Sequence, residues 1–501
     1  MNFIAPRFAA GLITFALAGL FQTTRAGDLN EHRFAQEHRV QRVLLISVDG
    51  LHAIDLARFV AGHPDSTLAR LQSHGATYTQ ASSSRPSDSF PGLLAMVTGG
   101  SPNATGVWYD DSYSRRLSPP GSSCATIGTE VVFDESIDRN PAAVDGGGGI
   151  DPAKLPLDPS HGCRPVYPHS FLRVNTLFEV VRSHGGRTAW SDKHPAYDLV
   201  NGPSGRGVDD LYTPEIAANN TTSSVALTEA YDDTKVHAIL NQVGGLDSSG
   251  QRQIAVPTVF GMNFQAVSVG QKLPSGGYRD GSGLPSNELA DAILHTDESL
   301  GKMVTALQRR GLDESTLIVV SAKHGQAPVD PTKTRKLGKV VAALVPAAAQ
   351  ITQDDIALVW LKDPKQSAAV AATLRRNQDT AGIEEVLEGA ALRLQFNDPA
   401  ADERVPDLIV KPVYGVIYTS SKSKNAEHGG FTSADTNVAL IVSKPGMKPR
   451  TIKLPVETTQ IAPTILEALG IEPDELKAVR LERTPLLPGL SRRDERNETE
   501  N

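Results

Sequence analysis

Four side chains, far apart along the chain, carry the chemistry this sequence can offer: Asp49, Ser89, His324 and His428. A carboxylate, a hydroxyl and two imidazoles are suitable ligands for a zinc-like ion. A serine hydroxyl on such an ion becomes a stronger nucleophile, and the ion neutralises charge on a transferring phosphoryl group. Ser89 has a further source of activation in its position. The turn Ser84-Arg-Pro-Ser-Asp-Ser-Phe-Pro-Gly92 leads into a helix predicted to begin near Phe90 or Pro91, because proline costs nothing in a first turn. The free N–H groups and positive dipole end there stabilise an alkoxide or a bound phosphate. Taken singly, each residue has a plainer reading. Asp49 before Gly50 is a common turn pair, and a serine at such a turn is a helix N-cap.

Apolar patterning supplies the elements that must position these groups. Arg42-Val-Leu-Leu-Ile-Ser-Val-Asp-Gly50 reads as a strand buried on both faces, with Asp49 at its carboxyl end. In an open α/β sheet that edge is where ligands bind. Residues 316–321 form a second such strand and deliver Ala322-Lys-His-Gly325 to the same edge. Residues 76–79, 187–190 and 258–264 are further strand candidates, and helices are predicted at 65–75, 175–182, 287–310 and 457–469. After 187–190 comes Ser191-Asp-Lys-His-Pro195, for which a solvated loop is the default. The alternation predicts an α/β fold with a mostly parallel central sheet and helices on both faces.

Two segments stand outside that alternation. Residues 110–170, rich in Gly, Pro, Ser and Asp, read as a loop-rich insertion. Residues 351–406 read as a small inserted α+β subdomain, with strands at 356–361 and 392–396 around a helix at 366–376. The strands at 407–410 and 438–442 are then expected to return to the main sheet, with Glu427-His-Gly-Gly430 in the loop between them.

The chain has 501 residues, 40% hydrophobic and 21% charged, with a net charge of -8. That mild acidity gives no reason to expect a nucleic-acid polymer, and an anionic substrate would need local positive charge. Arg7, the apolar run from Phe8 to Phe21 and Thr24-Arg-Ala26 read as an export signal over residues 1–26. The run is too short for a comfortable membrane span, and no later stretch resembles one. The mature domain is expected over 27–490, secreted or periplasmic, with a charged, disordered tail at 491–501. Cys124 and Cys163 are the only cysteines. In an oxidising compartment they could close a disulfide within the insertion.

Taken together, Val-Asp-Gly50, Ser89-Phe-Pro91 before Val-Thr-Gly99, Lys323-His-Gly325 and His428-Gly-Gly430 resemble the alkaline phosphatase superfamily. The branch they are most similar to is the type I phosphodiesterase/nucleotide pyrophosphatase group. Arg404-Val-Pro-Asp-Leu-Ile-Val410 and Gln460-Ile-Ala-Pro-Thr-Ile-Leu-Glu-Ala-Leu-Gly470 match it too. The resemblance implies an alkaline phosphatase-like domain hydrolysing a phosphorylated small molecule. Ser89 would be the nucleophile, Asp49, Ser89, His324 and His428 the metal ligands, and one or two divalent ions, zinc above all, the cofactor.

The departures from that pattern are specific. The aspartate of the family's Asp-His-Gly is Lys323, a candidate catalytic group in its own right. The family's Asp-x-x-x-His pair is absent from 262–272, where Asn263, Gln265 and Ser268 are neutral, and the family's phosphate-holding Asn is Gly92. Lys193, His194 and Asn263 are candidate substrate contacts. Two readings follow: a metal-dependent, serine-based phosphate ester hydrolase, or a catalytically reduced homologue that binds a phosphorylated or sulfated ligand without turnover. A sulfatase ranks lower, because its signature requires Arg where Leu93 stands.

Overall fold

The computed structural model describes Met1 and residues 39–490, so the expected export signal and charged tail lie outside the described residues. The main sheet has eight strands: β1 Arg42–Val48, β2 Gly75–Tyr78, β3 Ala189–Ser191, β4 Asp210–Tyr212, β5 Val259–Phe264, β6 Thr316–Ser321, β7 Ile441–Ser443 and β8 Arg450–Ile452. Their order is β8-β2-β7-β6-β1-β5-β3-β4. Only β7 runs antiparallel to its neighbours. Central β1 pairs in parallel with β5 and β6. Its continuous apolar run is explained by that position, since both its faces are covered.

The helices that cover the sheet include two packed groups. One contains Thr67–Ser73, Val225–Val243, Ala266–Lys272 and Asn287–Arg309; the other contains Ser89–Thr98, Leu177–Ser183 and Ile461–Leu469. Among the described residues no helix is long and apolar enough to cross a membrane.

The insertion is more ordered than its composition suggests. A hairpin, Asp111–Ser114 with Thr129–Val132, and several short 3-10 turns build it, and Cys124 is disulfide-bonded to Cys163. Val131, Phe133, Ile137 and Leu155 join the main apolar core.

The smaller sheet differs from the sequence reading in two places. It is a four-stranded antiparallel sheet in the order Ala348–Gln353, Ala357–Leu361, Leu408–Pro412, Ile383–Glu388. The apolar run at 392–396 is no strand: Leu392 belongs to the helix Gly389–Arg393. The strand from Leu408 lies inside this small sheet rather than in the main one. A short run of Leu, Ile and Val satisfies either buried sheet equally, so its composition cannot choose between them.

At the carboxyl edge of β1, β5 and β6 the loops are tied together through their backbones. Asp49 N–H donates to Phe264 O (3.0 Å), Gly50 N–H to His324 O (3.1 Å), Gly325 N–H to Asp435 O (2.7 Å) and Gly429 N–H to Ser87 O (2.9 Å). The Ser87 hydroxyl donates to the same Asp435 carbonyl at 2.6 Å. Gly92, on the helix behind Ser89, packs so closely that a Cβ there would lie 2.0 Å from Lys323 O. No side chain fits at this position. Gly92→Ala is therefore expected to cost roughly 1–3 kcal/mol in denaturant unfolding. Gly62→Ala, where a Cβ meets nothing within 4 Å, should be neutral or slightly stabilising. Equal, small effects at both positions would contradict the close packing.

Candidate active site

The helix Ser89–Thr98 is capped by Asp88, whose Oδ2 accepts from Phe90 N–H at 3.0 Å. The plainer reading of Ser89 as the cap is thereby corrected, because its neighbour fills that role. The Ser89 hydroxyl instead meets two side chains. Lys193 Nζ donates to Ser89 Oγ at 3.1 Å, and His324 Nε2 lies 3.2 Å from the same oxygen. His324 Nδ1 sits 2.8 Å from the Gly325 carbonyl. A carbonyl only accepts, which assigns the proton of the neutral ring to Nδ1 and leaves the Nε2 lone pair facing Ser89.

Asp49, fully buried, is the anionic centre of the group. Gln265 Nε2 donates to its Oδ2 at 2.7 Å. Lys193 Nζ, Lys323 Nζ and His324 Nε2 stand 3.5, 3.6 and 3.7 Å from that oxygen. Burial alone would raise the carboxyl pKa, but the ammonium of Lys323 above all, with that of Lys193, holds Asp49 well below the usual carboxylate range. Lys323, also fully buried, reaches Asp192 Oδ1 at 3.0 Å and the Tyr197 hydroxyl at 2.9 Å. Asp192 accepts as well from Trp190 Nε1 (3.0 Å) and from Lys193 N–H (2.9 Å).

The expectation of a solvated loop at 192–194 is thus overturned. Asp192 is buried as the counter-ion of Lys323, and it orders the backbone that carries Lys193. Of the cationic groups, only Lys193 keeps measurable access to solvent, its side chain being 15% exposed.

The structure brings Asp49, Ser89, Lys193, Lys323, His324 and His428 together. The His428 ring lies 4.2 Å from that of His324, centroid to centroid, and its Nδ1 stands 3.4 Å from Asp88 Oδ1. Burial, then Lys272 and Lys193, drives the His428 pKa well down, while burial raises that of Asp88. His194 and Asn263 have other partners. His194 Nδ1 pairs with Glu215 at 2.8 Å, and the Asn263 amide donates only to Phe264 O (3.4 Å). Gln265 and Tyr197 were not among the site residues read from sequence, and Asp192 was weighed as a site residue only behind the default of a solvated loop. Gln265 is a neutral side chain without motif spacing, and Asp192 sits in an ordinary polar run.

Whether these residues suit the family's metals is decided by charge. In favour, Asp49 Oδ1, Asp88 Oδ1 and His428 Nδ1 are buried without hydrogen-bond partners. Against, two ammonium groups already stand within 3.6 Å of Asp49 Oδ2. A divalent ion about 4 Å from one ammonium is repelled by roughly 8 kcal/mol at an effective dielectric of about 20. Two ammoniums double that penalty, and the two carboxylates with free oxygens, Asp49 and Asp88, are fewer than two ions require. The residues present do not fit the family's metal centre.

The fold agrees with the comparisons. The model of the family "Type I phosphodiesterase / nucleotide pyrophosphatase" matches residues 43–435. Murine ectonucleotide pyrophosphatase/phosphodiesterase 5 is similar in structure, with a TM-score of 0.55 and 13% identity, covering 86% of this chain and 95% of that one. An inactive variant of the murine protein in complex with AMP gives 0.56 and 14% over the same shares. The human protein gives 0.54 and 13%, again over 86% and 95%. A comparison with curated proteins finds no match. The chain belongs to the type I phosphodiesterase/nucleotide pyrophosphatase family.

Proposed function

We propose that the protein is an exported hydrolase of phosphate esters that uses Ser89 as its nucleophile and ammonium groups in place of the family's metal ions. The observation that carries this reading is the placement of Lys193 Nζ and His324 Nε2, 3.1 and 3.2 Å from Ser89 Oγ. Family membership supplies the substrate class. A protein of similar fold in complex with AMP makes a nucleotide ester the first candidate. The disulfide suits an oxidising compartment, in keeping with export.

The chemistry follows from the lone pair on Nε2. As Oγ attacks phosphorus, its proton passes to Nε2, the Oγ–P bond forms and the ester oxygen leaves on the opposite side. Lys193 stands beside the oxygen that gains negative charge and stabilises it, the part a preorganised cation plays in a water-poor site. Water then attacks the phosphoserine, and the Nε2 proton returns to Oγ as that P–O bond breaks. The proton the water gives up passes to solvent, which protonates the departed ester oxygen. Lys323 reaches neither Ser89 nor the surface. It fixes Asp49 and Asp192, and through them the Lys193 loop.

The test is turnover of bis(p-nitrophenyl) phosphate and p-nitrophenyl phosphate by chelator-treated protein. Activity should survive chelation and vanish in Ser89→Ala. Lys193→Ala should lower kcat by about 10²–10³-fold, the usual loss on removing one charge-stabilising donor. Activity abolished by chelator and restored by zinc would return the site to metal-dependent catalysis. Binding of AMP without any turnover would establish the reduced, ligand-binding reading instead.

A separate expectation concerns stability. Lys323→Ala leaves the buried Asp192 without its counter-ion and removes one of the two ammoniums beside Asp49, and should cost roughly 3–5 kcal/mol in urea unfolding. A loss below about 1 kcal/mol, the range of exposed pairs, would show that the ammonium is dispensable.

A further inference from the structure

A second cluster lies on the other side of Lys193, built from residues the reaction does not use. Glu135 comes from a 3-10 turn of the insertion, Glu135–Ile137; His194 follows Lys193; Glu215 follows β4. One ligand atom from each of the three lies within 4.8 Å of the others. His194 Nδ1 is 2.9 and 2.8 Å from the two Glu215 carboxylate oxygens. His194 is 8% and Glu215 1% exposed, so water reaches neither freely.

Asp138 supplies an independent observation. It is fully buried, and neither of its carboxylate oxygens has a hydrogen-bond donor. Its carboxyl lies within hydrogen-bonding reach of Glu215. The nearby Lys154 ammonium donates to the Asp138 backbone carbonyl rather than to the carboxylate. Gly146, at φ +64°, covers the group so tightly that a Cβ there would lie 2.7 Å from Asp138 Oδ2 and 2.8 Å from Pro195 Cγ. Two carboxyl groups that face each other in a dry place need a proton or a cation between or beside them.

We propose that Glu135, His194 and Glu215 bind one divalent metal ion, with Asp138 braced behind Glu215. One imidazole and two carboxylates suit zinc or manganese.

The consequence is positional. The ion would pin the insertion to the loop that places Lys193 beside Ser89, a loop also held by Ile216 N–H donating to Lys193 O at 3.0 Å. The reacting phosphoryl group would never touch it.

The experiment strips the purified full-length protein with chelator and titrates it with zinc chloride or manganese chloride. It reads metal content by elemental analysis and the thermal midpoint by calorimetry. Wild type should take up one ion per chain and gain a few degrees in Tm. Glu135→Gln/Glu215→Gln should take up none and gain nothing, while Asp49→Asn keeps the ion. Should the double variant fail to fold, Glu135→Gln alone, on a half-exposed turn, carries the same comparison. No uptake by wild type would overturn the proposal and leave a shared proton between Asp138 and Glu215. Uptake retained in the glutamine variants but lost in Asp49→Asn would place the ion beside Ser89, overturning this site and the metal-free mechanism together. Failure here with turnover intact under chelator would leave the reading of Ser89 standing.

Discussion

The structure around Ser89 depends on one electrostatic constraint: a fully buried carboxylate, Asp49, must be neutralised where the carboxyl ends of β1, β5 and β6 meet. An isolated buried carboxylate would cost several kcal/mol, so the surrounding groups are not optional. Here Lys193, Lys323 and the Gln265 amide meet that demand directly, and Asp192 balances the second ammonium. Two carboxylates and two ammoniums leave the group near neutral. The family pattern reaches the same balance with more carboxylates and with metal ions. A lysine where that pattern has aspartate shifts the local charge by about two units, enough to replace a divalent ion.

That substitution redistributes roles among the remaining residues. In the mechanism we propose, His324 gives its Nε2 lone pair to the Ser89 proton rather than to a metal. Lys193 there takes the place beside the attacking oxygen that an ion would hold. His428 keeps its position against His324, with Nδ1 facing Asp88 Oδ1 at 3.4 Å. Backbone hydrogen bonds to Phe264, His324, Asp435 and Ser87 hold these loops in register regardless of what fills the centre. This is why the arrangement tolerates such an exchange of charge.

Much of the fold was legible in the sequence because long apolar runs leave little choice. Residues 42–48 and 316–321 are too apolar to face water on either side, and they occupy the middle of the sheet. Asp49, Ser89, His324 and His428 were placed together by motif order, and they meet. Long-range partners escaped the sequence reading. Nothing in Ser191-Asp-Lys-His-Pro195 reports that Lys323 will arrive from another strand and bury Asp192. The strand at 408–412 was assigned to the wrong sheet for the same reason, since partner choice is a property of topology.

The central claim is that Ser89 forms its covalent intermediate without a metal ion. Its most direct test is peptide mass spectrometry of chelator-treated protein, acid-quenched during turnover of p-nitrophenyl phosphate or a nucleotide ester. The expected result is a phosphoryl or nucleotidyl adduct on Ser89 whose yield falls sharply in Lys193→Ala. An adduct that appears only after zinc is restored, and is indifferent to Lys193, would contradict it.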